Sequence, residues 1–283
     1  LLKHCQNTVR SKLIILISLL FLGLALPVFA QSNLSVRVER WLQIESLVGT
    51  VTFQQGKTSQ AAQVGTRLQA IGDTLATGKS SSAVLAVDTQ IGTVSLSEST
   101  TLQISKLEAL PSGGMVTLLR ILAGQARLQL RPFSNPDSRL EIETPAGISG
   151  VRGTIFGVSV QPNGVTGVAT LEGRVVAEAQ GQQVSIDAGL QSLIVPGEPP
   201  TQPTALQENT QLRLIALSRV GRGEVEIVGQ IDTVNLLVIE EEVQNVESDG
   251  TFTIRRSLPD DRRIAATVIT PLGKKQAYEI VIP

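Results

Sequence analysis

Glu143-Thr144-Pro145-Ala146-Gly147-Ile148-Ser149-Gly150-Val151-Arg152-Gly153-Thr154-Ile155-Phe156-Gly157-Val158 is the stretch on which the fold turns. Glycines stand at 147, 150 and 153, and the last two bracket Val151 and one cation, Arg152. An alternating run follows at once, with Phe156 and Val158 on one face, which is the period-two pattern of a strand. Glycine at such positions permits turns and close backbone approach.

The same punctuation runs outward in both directions. Upstream, Gly65, Gly72-Asp73, Gly78-Lys79, Asp88-Thr89 and Gly92 separate Leu75, then Ala83/Leu85/Val87, then Val94/Leu96 and Leu102/Ile104. Pro111-Ser112-Gly113-Gly114 turns the chain, and Met115 to Leu122 reads as a strand closed by Gly124. Downstream, Asn163-Gly164, Glu172-Gly173, Gly181 and Ala188-Gly189 divide strands over 166–171, 175–179, 184–188 and 190–195. Asn-Gly suggests a tight hairpin with two central residues at positive φ. Short strands at close, even spacing indicate an all-β fold, and no window shows helical periodicity.

Pro196, Pro199, Pro200 and Pro203 fall within eight residues. Prolines at that density cannot enter a sheet interior and hold an extended, semi-stiff segment, so 196–210 is read as a linker. Beyond it, Leu212/Leu214/Ala216, Val225/Ile227, Leu236/Val238, Phe252/Ile254, Ile264/Ala266/Val268 and Tyr278/Ile280/Ile282 alternate. Residues 211–283 therefore suggest a small immunoglobulin-like sandwich, one that leans on the preceding domain because so small a core is marginal alone.

At the other end, Lys3, Arg10 and Lys12 precede an apolar run, Leu13–Leu26, and Pro27 and Ala30 follow. This is the three-part layout of a secretory signal peptide over 1–30, with cleavage before Gln31. An uncleaved anchor is the alternative. Residues 1–30 hold three of the 24 Lys/Arg and none of the 25 Asp/Glu, so the remainder carries a net charge of −4. That balance argues against nucleic acid as a partner. The sole histidine and cysteine, His4 and Cys5, leave with the signal. What remains has no imidazole or thiol for metal binding, proton transfer or nucleophilic catalysis. Its six aromatics, Trp41, Phe53, Phe133, Phe156, Phe252 and Tyr278, leave a core of Val, Ile, Leu and Ala. No cofactor is expected.

The stretch Thr144–Val158 resembles the signature of FecR-type periplasmic domains, whose pattern runs Thr-Pro, Gly, then Val-Arg-Gly-Thr-x-Phe-x-Val. The later parts of that pattern are similar to Leu171-Glu172-Gly173-Arg174-Val175 and Asp187-Ala188-Gly189, and the earlier half to Gly72-Asp73-Thr74-Leu75 with Ser82–Leu85. The resemblance covers about residues 45–200. It implies a β-rich, solenoid-like domain facing the periplasm, here over 31–195. Iron-signalling members carry a sigma-factor-binding domain before one membrane helix. Only twelve residues precede the apolar run here, too few for such a domain.

The motif residues Thr144, Pro145, Gly147, Gly150, Val151, Arg152, Gly153, Thr154, Phe156, Glu172 and Gly173 are read as structural. Arg152 is taken as a clamp between strands, with a docking residue as the alternative, because Val151, Ile155 and Phe156 beside it look like core. Glu240, Glu241 and Glu242 with Asp232 and Asp249 suggest a solvated strand edge, or oxygen ligands for calcium. The function expected is that of a non-enzymatic exported protein, periplasmic or extracellular, that binds an envelope protein or a cell-wall component. A membrane-anchored signalling regulator, held through the uncleaved N-terminal segment, and a weak polysaccharide binder are the alternatives.

Overall fold

Alternation does write the strands. In the computed structural model, which describes residues 39–283 except Gln90, Arg152 and Arg222, strands account for every regular element and no helix occurs among the described residues. The signal peptide expected over 1–30 lies outside the described residues, as does Arg152.

The first half of the described chain forms β1 (Leu42–Val48), β2 (Val51–Gln55), β3 (Thr58–Ala61), β4 (Arg67–Leu68), β5 (Thr74–Thr77), β6 (Ser82–Val87), β7 (Gly92–Leu96) and β8 (Thr101–Ala109). Then come the long β9 (Met115–Leu130), β10 (Arg139–Glu143), β11 (Ile148–Val151), β12 (Ile155–Val160), β13 (Thr166–Glu172), β14 (Arg174–Ala179), β15 (Gln182–Asp187), β16 (Leu190–Ile194) and β17 (Thr204–Ala205). They build two layers. Layer A runs β4-β1-β6-β7-β9-β12-β13-β16-β17. Layer B runs β3-β2-β5-β8-β9-β10-β11-β14-β15. One apolar cluster draws from both, including Leu42, Leu85, Leu128, Phe156 and Val158 of layer A and Leu75, Leu102, Leu119, Ile142 and Val175 of layer B. Each such side chain contributes about 1.5–3 kcal/mol by leaving water.

β9 belongs to both layers. Its first half pairs with β8 and β10, its second with β7 and β12. The change of layer falls at Gly124, which has φ +90° and no room for a Cβ, since Thr100 Cα would lie 2.5 Å from it. Gly124 therefore bends the strand where the sequence suggested that it ends it. Among the described strands only β9 and β10 pair in parallel. The all-β domain is thus built mainly from antiparallel pairings handed between two layers.

The turns follow one recipe more than the sequence suggested. Gln161-Pro162-Asn163-Gly164 closes with Gly164 N–H on Gln161 O (2.8 Å) and Gln161 N–H on Val165 O (2.9 Å). Only Gly164 has positive φ. This is a type I turn followed by a left-handed glycine, so the Asn-Gly pair is not the doubly positive turn expected. Leu110-Pro111-Ser112-Gly113 and Thr270-Pro271-Leu272-Gly273 repeat it with the same bonds. Proline fits the first central position of such a turn because its φ is already set.

Arg40 ties the layers from within. It is buried, donating from Nε and Nη2 to Asp88 Oδ2 (2.9 and 2.6 Å), from Nη1 to Glu108 O and Val116 O (2.9 and 2.8 Å), and from Nη2 to Thr117 Oγ1 (2.7 Å). Asp88 also accepts from Trp41 N–H (2.8 Å). A buried charge is tolerated only when paired and hydrogen-bonded in this way.

The proline-rich segment runs back along β16. Thr201 N–H donates to Leu193 O (2.9 Å), its Oγ1 accepts from Leu193 N–H (2.9 Å), and Leu206 N–H reaches Gly189 O (2.8 Å). Seven strands follow: β18 (Arg213–Val220), β19 (Glu224–Gln230), β20 (Leu236–Ile239), β21 (Glu242–Gln244), β22 (Thr251–Ser257), β23 (Arg263–Ile269) and β24 (Lys275–Val281). They form a three-stranded sheet, β18-β19-β22, and a four-stranded sheet, β21-β20-β23-β24. Val225, Ile227, Phe252 and Ile254 of the first share a core with Leu237, Ile239, Ile264 and Ile280 of the second. Leu237 and Ile239 face that core, whereas Leu236 and Val238, the alternating pair picked out in the sequence, form a separate cluster on the other face with Ile269. β20 is buried on both sides.

So are the middle residues of β12, β13 and β16. The outward face of layer A there is made of small residues. A Cβ on Gly157 would overlap the carbonyl of Pro271, and one on Gly167 would lie 2.7 Å from Val234 Cα. Ser159 Oγ donates to Val234 O. Three buried glutamines complete the joint: Gln125 Nε2 donates to Pro271 O (2.6 Å), Gln161 Oε1 accepts from Val246 N–H (2.8 Å), and Gln191 Nε2 donates to Asp232 Oδ1 (3.2 Å). Residues 39–283 form one compact unit through this contact.

Candidate functional site

The Thr144–Val158 stretch is where the chain leaves layer B for layer A. Thr144 closes the β10–β11 turn, with its N–H on Gly147 O (2.8 Å) and its Oγ1 accepting from Thr166 Oγ1 (3.0 Å). Pro145 is exposed at the tip. Gly147 has no room for a side chain, as a Cβ would lie 2.5 Å from Glu178 O. Ser149 and Val151 point into the core. Gly153, at φ +81°, turns the chain against Pro132, whose N would lie 2.6 Å from a Cβ. Thr154 is buried, its carbonyl accepting from Leu130 N–H (3.0 Å) and its Oγ1 donating to Arg174 O (3.2 Å). Phe156 then enters the core with no exposed surface.

A second crossing lies beside the first. Gly173, at φ +79°, carries the chain from β13 in layer A to β14 in layer B, and a Cβ on it would lie 2.9 Å from Gly153 O. The two glycines sit against each other at one corner.

Gly150 behaves differently from its neighbours. Its φ lies outside the left-handed region, and among the described residues a Cβ would meet nothing closer than Glu141 Cγ at 3.9 Å. Neither the backbone nor the packing of the described residues requires a glycine there. Its effect is to leave the outer face of layer B open. A groove of about 820 Å³ lies over it, floored by Gly150, Val151, Gly153 and Gly173, with Val176 and Ala188 alongside. Two ion pairs form its walls. Arg139 Nε meets Glu141 Oε1 at 3.0 Å, and Arg174 Nε meets Asp187 Oδ1. The Arg174 hydrogen bond, helped by Ser185 Oγ, holds the Asp187 carboxyl below the usual aspartate range.

Glu172 lies apart from this groove. It lines a separate hollow of about 390 Å³ with Gly92, Arg131, Pro132 and Ile155. Thr144, Pro145, Gly147, Thr154 and Phe156 do not line the groove either. Of the motif residues, Gly150, Val151, Gly153 and Gly173 come together there, while Arg139, Glu141 and Val176 join them from outside the motif. Their signal was present: Arg139-Leu140-Glu141-Ile142-Glu143 alternates, so Arg139 and Glu141 share the outward face.

The acidic residues weighed for calcium are dispersed. Glu240 and Glu241 form the tip of the β20–β21 hairpin, Glu242 pairs with Arg256 (2.9 Å), Asp232 accepts from Gln191, and Asp249 accepts from Thr251 N–H and Oγ1 (2.9 and 2.6 Å). Among the described residues no group of three or more His, Cys, Asp or Glu could hold a metal ion. The groove thus offers a flat, largely apolar floor between charged walls whose ions are already mutually satisfied.

Residues 73–176 match the family described as FecR protein. This chain carries a FecR domain. The match spans both crossings and the groove floor as far as Val176. Two crystal structures of a "putative anti-sigma factor" from Parabacteroides distasonis are similar to part of the chain, at 12% and 13% identity with TM-scores of 0.40 and 0.39. Each likeness covers 47% of this chain and 59% of that one, so the chain spans under two thirds of those proteins. No curated protein matches the sequence.

Proposed function

We propose that this chain is a non-enzymatic, exported FecR-domain protein of the bacterial cell envelope, and that its FecR domain is a protein-interaction or scaffold module. The observation that carries this is Gly150. A glycine inside a strand costs about 0.5–1 kcal/mol relative to alanine. Here neither φ nor crowding demands it, so the open floor it leaves is the feature that explains it. Glycine in a strand often marks close approach of another backbone. The basic, apolar layout of residues 1–30 supports export to the periplasm or beyond, and the three-plus-four sheet arrangement of residues 213–281 supports an immunoglobulin-like sandwich as the second module.

The partner in this reading is an envelope protein or a cell-wall component. A polysaccharide is the weaker candidate, because among the described residues no aromatic ring on which a sugar could stack lines the groove. The second reading is a periplasmic regulator that keeps its N-terminal segment as an anchor. The FecR family match over 73–176 favours it. Intact mass of the protein from its native cells separates the two, a start at Gln31 removing the anchor.

A photo-crosslinking residue at Val176, on the groove wall, tests the interaction itself. The proposal expects an envelope protein to be captured there and not from the same probe at exposed Val64, far from the groove in sequence. Equal capture at both positions, or none at Val176, rejects it.

A further inference from the structure

The sheets of this protein end in strands that are mostly protected against pairing. β4 and β17 are two residues long, β21 three, and β3 four and wholly polar apart from Ala61. β15 carries glutamines, a serine and Asp187. β22 displays Arg255 and Arg256 in ion pairs with Glu226 and Glu242, and β24 carries Lys275 and Glu279. Short length and edge charges are the devices that prevent strand-to-strand association.

β18 is longer and more apolar than these edges, and its charges are two arginines with no lysine, proline or acid between them. It runs for eight residues, Arg-Leu-Ile-Ala-Leu-Ser-Arg-Val, and among the described residues it pairs only with β19. Leu214 and Ile215 are 42% and 53% exposed. The register shifts between Leu214 and Ala216, which makes Ile215 a bulge residue and leaves Ala216–Val220 as a regular open edge. Arg213 and Arg219 stand near the two ends. Arg213 Nη2 is bonded to the amide oxygen Gln230 Oε1 (2.5 Å), and Arg219 Nη2 to Pro283 O (2.6 Å), an oxygen of the last residue of the sequence. Glu226 on the neighbouring β19 is taken by Arg255, and Glu224 faces Val220 at the strand's end.

We infer that β18 is a strand-addition site for an extended peptide segment, apolar at its centre and acidic towards its ends. Backbone hydrogen bonds to the open edge supply affinity, and Leu214 and Ile215 supply apolar contact. The two arginines, uncompensated by any carboxylate on their own strand, select acidic flanks. A second copy of this chain fits poorly, because pairing β18 with itself brings four arginines together with no acid in either strand, and like charges across a strand pair are destabilising. The site goes beyond the groove over Gly150 and is independent of it.

The test uses the intact chain and two fluorescein-labelled ten-residue peptides of alternating valine and threonine, one with two aspartates at each end and one with two lysines. Fluorescence anisotropy should show the aspartate peptide binding about tenfold or more tighter than the lysine peptide. Arg213→Glu with Arg219→Glu should reverse that order, and Gly150→Val should leave it unchanged. Failure of both peptides to bind overturns the inference, as does equal affinity for the two. So does a dimer in sedimentation that Ile215→Lys dissolves, since that would assign the edge to a second copy.

Discussion

The backbone of Gly157 lies directly against the carbonyl of Pro271, with no space between them for a methyl group. One glycine of the FecR motif stretch thus serves a contact 114 residues further along the chain, outside the domain that the motif identifies. Gly157→Ala should force the two halves apart at this joint. The expected cost is about 1–3 kcal/mol, the range for overpacking, read as a lower midpoint in denaturant. Calorimetry should show one transition for the wild type and two for the variant, as residues 213–281 lose their support.

Arg40 should matter more. Removing it takes away the cation paired with Asp88 and a donor to the Glu108 and Val116 carbonyls. Arg40→Ala should cost about 3–5 kcal/mol, as for one partner of a buried pair. The double variant with Asp88→Ala should cost less than the two single losses added together, because both remove the same interaction. Equilibrium unfolding of the four proteins measures this.

At the tip of the β20–β21 hairpin, Glu240 and Glu241 hold φ values of 49° and 67°. Side chains other than glycine pay about 1–2 kcal/mol for that conformation. Glu241→Gly should therefore raise stability by about 1 kcal/mol despite the greater freedom of glycine in the unfolded chain, read as a higher midpoint in denaturant. The substitution also removes the ion pair between Lys79 and Glu241, but that pair is exposed and 3.9 Å long, of the kind that contributes little.

The groove wall gives a pH signature. Hydrogen bonding from Arg174 lowers the folded-state pKa of Asp187, and bonding from Thr251 lowers that of Asp249. A depressed carboxyl favours the fold at neutral pH, and that contribution is lost as the pH falls through the folded-state pKa. Arg174→Gln should move the Asp187 carboxyl titration, followed by NMR, upward toward the ordinary aspartate value while Asp249 stays where it is.

Much of this was legible in the sequence. Val-x-Leu alternation and turn glycines located most strands to within a few residues, because each strand has one face in the core and its turns need left-handed backbone. The faces were harder to read. Leu236/Val238 alternates as cleanly as Leu237/Ile239, and only the packed structure tells which pair meets the sandwich core. Gln125, Gln161 and Gln191 look like surface residues, yet all are buried at the joint, where each bonds a backbone or side-chain group of the other half. Arg40 carries no local pattern at all, since its partners come from residues 88, 108, 116 and 117. As for the candidate site, the motif glycines were visible, but Gly150 became distinct from Gly147 and Gly153 only once the space around each was known.

That distinction is what the central claim rests on, and one comparison tests it. Wild type and Gly150→Val are used as baits on matched envelope extracts, with quantitative mass spectrometry of what each retains and a melting curve for each. The expected result is a melting temperature within about 2 °C of wild type, or higher, since a valine fits the strand and the space, together with at least a tenfold drop in the captured partner. Undiminished capture by Gly150→Val would contradict a functional groove, and a collapsed melting temperature would return Gly150 to the structural glycines beside it.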